Sequence, residues 1–209
     1  MLSATRIIVL ATLAIAAAGA GVAAGVWMER SGSHALSATV LDAPRPLPEF
    51  SLVDEHGAPV TRSALEGRWT FLFFGFTHCP DVCPMTLQVL TRTLRSFDDL
   101  PPEQRPTARF VSVDPERDTP EQLARYLAAF DADIHGMTGT PEAIQALTRS
   151  IGVAYERVEE PGGQGYTMDH TAALFLLDPK AQLVAVFTPP HDARALAADL
   201  RAIGKRASS

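Results

Sequence analysis

The chain has 209 residues, 46% of them hydrophobic, enough for one core domain of ordinary size and an additional segment. Its net charge is −6 and no run of Lys or Arg interrupts it, so no nucleic-acid partner is expected. The two cysteines stand four residues apart, which excludes a small fold stapled by disulfides, because so short a loop stabilises little.

The additional segment is N-terminal. Residues 1–6 precede a run from Ile7 to Met28 that holds no charged residue. As a helix the run extends about 33 Å, enough to cross a hydrocarbon core of roughly 30 Å. It therefore reads as a single transmembrane anchor, with a signal peptide cleaved near Ala18 or Ala20 as the alternative. Arg6 lies before it, Glu29 and Arg30 after it. That places residues 1–6 in the cytoplasm, the helix in the inner membrane and the rest of the chain in the periplasm. In that oxidising compartment a free thiol needs a reason to exist.

Residues 29–46 have no apolar period and read as a linker, with an extended reach of about 60 Å. The domain proper, 47–209, opens with a β-hairpin, Phe50–Val53 and Ala58–Thr61, around Glu55-His56-Gly57. Trp69–Phe76 is a near-continuous apolar run, as in a strand buried on both faces. Pro84 opens a helix that continues to Phe97, and Arg109–Val113 is a second buried strand. Thr119 and Thr140 cap helices over Pro120–Phe130 and Pro141–Ser150. A short strand at Val153–Arg157 leads into a Pro-Gly-Gly loop. Strands at Ala172–Leu177 and Leu183–Phe187 and a helix over Asp192–Ile203 close the chain. This order predicts an α/β fold with a thioredoxin-like core and an N-terminal β-hairpin addition.

Phe76-Thr77-His78-Cys79-Pro80-Asp81-Val82-Cys83-Pro84 falls where the buried strand gives way to a helix. Free N–H groups and the helix dipole favour thiolate there, the form that binds soft metals and attacks disulfides. Three readings stand: a structural disulfide, a dithiol oxidoreductase and a metal site. The third needs another ligand, and His170, in Asp169-His170-Thr171 just before the strand at 172–177, is the candidate. Thioredoxin-like enzymes carry a cis-proline in the corresponding loop, but no proline occurs here between Pro161 and Pro179. Two thiolates suit Cu(I) and an imidazole extends the set to Cu(II). Structural zinc normally takes a fourth protein ligand.

His78 adjoins Cys79 and reads as a contact for a partner or a modulator of the thiols, since adjacent residues on a turn seldom face one ion. Asp81 is a turn residue or a docking contact, and Asp169 could orient His170. Asp114-Pro115-Glu116-Arg117-Asp118-Thr119-Pro120 reads as a structural loop with an internal Arg117–acid pair and a helix cap. Met85 and Met168 read as core filler, and His34, His56, His135 and His191 as surface residues.

FTHCPDVCP at 76–84, VDPERDTP at 113–120 and DHT at 169–171 resemble the Sco/SenC family, copper chaperones of cytochrome c oxidase assembly. The resemblance covers roughly residues 47–204. It implies one copper ion on Cys79, Cys83 and His170, a redox-active Cys79–Cys83 disulfide, and a periplasmic copper donor. It also implies delivery to the binuclear copper centre of oxidase subunit II, or thiol reduction there. A peroxidase of the same fold is disfavoured because Phe76 stands where such sites place Thr.

Overall fold

The computed structural model describes residues 36–130, 133–163 and 165–207, together with Ala17, Gly19 and Gly21. The expected anchor at 7–28 otherwise lies outside the described residues. Among those described, no helix is long and apolar enough to cross a membrane. The chain divides into two compact units, Met1–Ala35 and Leu36–Ser209, and the second carries the fold.

Among the described residues of that unit, ten strands and four α-helices follow. In chain order they are β1 (Thr39–Pro46), β2 (Ser51–Asp54), β3 (Pro59–Thr61), β4 (Thr70–Gly75), α1 (Val82–Arg95), β5 (Thr107–Ser112), α2 (Pro120–Leu127), β6 (Ile134–Thr138), α3 (Pro141–Ile151), β7 (Tyr155–Glu159), β8 (Tyr166–His170), β9 (Leu174–Leu177), β10 (Gln182–Phe187) and α4 (Ala193–Ala207). Eight strands form one sheet in the order β1-β10-β9-β4-β5-β6-β2-β3, and β7 and β8 pair separately.

β4 occupies the centre because its sequence has no polar face to expose. Phe71, Leu72, Phe73 and Phe74 are all fully buried. β4 pairs in parallel with β5 and antiparallel with β9, so its carboxyl end opens beside the loop after β5. The helical crossover through α1 is what lets β4 and β5 run parallel. α1 packs on α4, and α2 on β6. The side chains of Thr119 and Thr140 accept from Gln122 N and Ala143 N, capping α2 and α3 as expected, each with Pro in the first turn.

Three elements differ from expectation. The linker reading of 29–46 fails over Thr39–Pro46, which is an edge strand paired antiparallel with β10. Its side chains are mostly exposed and it carries two prolines, which edge strands tolerate, so it has no buried face to betray it. The domain therefore begins at Leu36 rather than Leu47. Asp199 of α4, fully buried, fixes the entry point by accepting from Ser37 N (2.8 Å), Ser37 Oγ (2.6 Å) and Ala38 N (3.1 Å).

β6 escaped the sequence pattern because Gly136 sits in its middle. A Cβ there would stand 3.0 Å from Leu127 Cδ1 and 3.2 Å from Leu123 Cβ, so the glycine permits the close approach of α2. The sequence marks the residues around His170 only as the segment before the strand at 172–177, which in the structure is β9. That segment is a strand itself, β8, half-buried along most of its length with Met168 turned inward.

Candidate metal centre

The site forms where β4 ends. Gly75 closes the strand, and a Cβ on it would lie 2.8 Å from Cys83 Sγ and 2.7 Å from Phe110 Cε2. Only a residue without a side chain leaves the sulfur its place. Cys79 lies in the turn before α1, and Cys83 lies one residue inside the helix. The Cys83 N–H donates to Cys79 Sγ at 3.3 Å, so the first sulfur takes the role of an acceptor at the helix amino terminus. Asp81 occupies the N-cap position, makes no side-chain cap and is exposed.

The loop holding Cys79 is pinned from below by Asp118. This fully buried carboxylate accepts from Thr77 N (2.9 Å), Thr77 Oγ1 (2.6 Å) and Ser112 Oγ (2.7 Å). The loop after β5 is structural, as expected, with an Arg117–Asp114 pair inside it. The sequence marked Asp118 as part of a helix cap, whereas it acts across 41 residues on the cysteine loop.

His170, the last residue of β8, brings Nε2 to 3.5 Å from Cys83 Sγ. Its Nδ1 lies 3.2 Å from the Thr171 carbonyl oxygen, an acceptor only. Nδ1 therefore carries the proton and Nε2 turns a lone pair toward the sulfurs. The imidazole is edge-on to Phe73 and Phe76, with ring centroids 6.1 and 6.0 Å away. One donor atom from each of Cys79, Cys83 and His170 lies within 4.8 Å of the others, and both cysteines are free.

The two thiols are electrostatically unlike. Hydrogen bonding from the Cys83 thiol holds the Cys79 thiol at about 3, despite partial burial, and the N–H groups of Cys83 and Asp81 add to it. Cys83 is pushed up by the same hydrogen bond and by burial, and keeps its proton. The pair thus offers one accessible thiolate and one buried thiol, held together by a shared proton. A soft cation that displaces this proton meets two thiolates and an imidazole, the donor set that suits copper in both oxidation states.

His78 stands apart. Its Nδ1 is 3.2 Å from Thr77 Oγ1 and 3.7 Å from Asp118 Oδ1, and half of its side chain is exposed. Asp169 is exposed, and Thr171 O rather than a carboxylate faces His170 Nδ1. Met168 is buried, while Met85 is exposed beside the site rather than in the core. His135 meets Glu55 at 3.2 Å, and His191 Nε2 meets the Ala172 carbonyl oxygen at 2.9 Å, so neither is a free surface group. Gly75 and Asp118 are the residues that sequence reasoning missed. A glycine inside an otherwise aromatic strand was the signal for the first.

Residues 40–205 match the family model described as SCO1/SenC. The chain belongs to the SCO1/SenC family. Among the relatives, it is 33% identical to the mitochondrial protein SCO2 homolog of Bos taurus, over 94% of this chain and 74% of that one. A putative copper-binding protein of Stutzerimonas stutzeri is 39% identical, over 69% of this chain and 70% of that protein. The structure of Bradyrhizobium japonicum ScoI with copper bound superposes with a TM-score of 0.67 at 39% identity, covering 75% of this chain and 98% of that one. The chain spans about half the length of several other mitochondrial SCO relatives. The fold is the α/β, thioredoxin-like Sco fold, and the Cys-Cys-His group lies within the family's span.

Proposed function

We propose that this SCO1/SenC protein is a copper chaperone that holds one Cu(I) or Cu(II) ion on Cys79, Cys83 and His170. It would deliver that ion to the binuclear copper centre of cytochrome c oxidase subunit II. The observation that carries the reading is the convergence of the three donor atoms within 4.8 Å, with the histidine 87 positions beyond the nearer cysteine in the chain. Relatives whose structures hold copper support it.

The proposed cycle follows from the site. Cys79, the more accessible sulfur and already a thiolate, meets the ion first; Cys83 then gives up its proton and His170 completes the set. Release reverses the order, as subunit II cysteines displace Cys83 and Cys79 by ligand exchange. Oxidation of the pair to a disulfide removes both anionic donors and switches binding off.

A membrane anchor at residues 7–28, with the domain in the periplasm and a periplasmic copper donor, completes the proposal. With the domain beginning at Leu36, residues 29–35 would form the tether, about 24 Å at full extension rather than 60 Å. A second reading is favoured by one feature, the pairing of a half-buried thiolate with a buried thiol placed to resolve a mixed disulfide. It makes the protein a thiol–disulfide oxidoreductase acting on the oxidase cysteines.

Mixing copper-loaded protein with the apo copper domain of subunit II under anaerobic conditions separates the two. Chaperoning predicts the absorption of an assembled binuclear centre, lost in His170→Ala. Reduction of an oxidised subunit II by copper-free His170→Ala at the wild-type rate, with no copper transfer from wild type, would overturn chaperoning in favour of the enzyme.

A further inference from the structure

His170 rides on a hairpin that the main sheet does not align. β7 and β8 pair only with each other, and an isolated two-stranded ribbon is at best marginally stable. At the ligand end, Thr171 N donates to Ala154 O (2.9 Å) and Ala154 N to Thr171 Oγ1 (3.1 Å). At the far end of β8 stands Tyr166, whose ring is held between two guanidinium groups. Arg117 Cζ lies 3.7 Å from the ring centroid and Arg157 Cζ lies 3.6 Å from it.

Arg117 does more than stack. It donates through Nη1 to the Tyr166 carbonyl oxygen (2.9 Å) and through Nε to buried Asp114, which in turn accepts from the Tyr166 hydroxyl at 2.8 Å. Its guanidinium also lies 5.8 Å over Phe76, the ring that meets His170 edge-on and leads directly into the cysteine loop. Arg117 therefore touches both the hairpin that carries the histidine and the aromatic wall against which the imidazole rests.

We propose that Arg117 and Tyr166 are positioning residues that set the distance of His170 from the two sulfurs, and so set the preference of the site for Cu(II) over Cu(I). The inference rests on the copper reading above. Two thiolates satisfy Cu(I) without the imidazole, whereas Cu(II) depends on the nitrogen donor. Loosening the hairpin therefore weakens one oxidation state selectively.

The test uses Arg117→Lys, which keeps the charge beside Asp114 but loses the planar stack, and Tyr166→Leu, which leaves the Arg117–Asp114 pair intact. Cu(I) and Cu(II) affinities are measured by competition with chelators, and the Cu(II) form by nitrogen hyperfine coupling in electron paramagnetic resonance. Groups that orient a metal ligand commonly alter affinity by about 10–100-fold, so a Cu(II) loss of that size is expected, with Cu(I) affinity held within about threefold. Tyr166→Phe, which preserves the stack, should restore the wild-type ratio. An unchanged ratio in both variants, or an equal loss of both ions as a merely structural defect would give, overturns the positioning role while leaving the copper reading in place. Wild-type protein that took up neither ion would overturn the copper reading and this one with it.

Discussion

Cys79 and Cys83 differ because one hydrogen bond lies between two sulfurs in unequal surroundings. The half-buried sulfur of Cys79 gains the bond as an acceptor and the fully buried one of Cys83 loses its proton only with difficulty. Two expectations follow at this scale. With its thiol held at about 3, Cys79 is fully ionised across the neutral range, so iodoacetamide should label it at a rate nearly independent of pH between 5 and 8. Peptide mapping of the reduced protein should find the label on Cys79 and not on Cys83; preferential labelling of Cys83 would contradict this assignment.

Copper binding should show the opposite pH behaviour. Cys79 brings no proton to displace above about pH 4, whereas Cys83 must lose one, so Cu(I) affinity should rise about tenfold per pH unit from 5 to 8. Calorimetry in buffers of different ionisation enthalpy should register about one proton released per ion; none released would show that Cys83 is already ionised or not a ligand.

The two elements that meet at the site are held by unlike means. The cysteine loop depends on a buried carboxylate, the histidine hairpin on aromatic and guanidinium stacking. Asp118→Ala leaves the Thr77 N–H and the Thr77 and Ser112 hydroxyls without their buried acceptor, a cost of about 3 kcal/mol. In a domain of this size that lowers the melting temperature by roughly 10 °C in a thermal scan. A melting temperature within a degree of wild type would remove Asp118 from its place beneath the site. Gly75→Ala acts at the same end of β4, where the added methyl meets Cys83 Sγ and Phe110. Overpacking of this kind costs about 1–3 kcal/mol. Displacement of the sulfur should reduce metal uptake beyond what that loss of stability explains, measured on the fraction that remains folded.

Across the whole molecule, the sequence was most readable where burial is two-sided. Phe71–Phe74 could only be a central strand, and the chemistry-bearing turn after it followed from that placement. The three candidate donors were legible because their residue types and a neighbouring helix terminus restrict the chemistry. The elements that escaped lack a hydrophobic signature. β1 is an exposed edge strand held by backbone pairing to β10, β6 is broken in pattern by Gly136, and β8 turns a single side chain, Met168, into the core. Long-range ties such as Asp118 to Thr77 and Arg117 to Tyr166 join loops distant in the chain, and no local pattern records them.

These ties bring one imidazole and two sulfurs together, and the account depends on that meeting. Anaerobic loading of the reduced full-length protein with Cu(I) and then Cu(II), read by X-ray absorption, examines it directly. The account predicts one ion per chain with two sulfur neighbours and, for Cu(II), an imidazole nitrogen, with uptake abolished by Cys79→Ser or Cys83→Ser and Cu(II) uptake by His170→Ala. Undiminished copper in either cysteine variant, undiminished Cu(II) in His170→Ala, or a bound ion without sulfur neighbours, would contradict it.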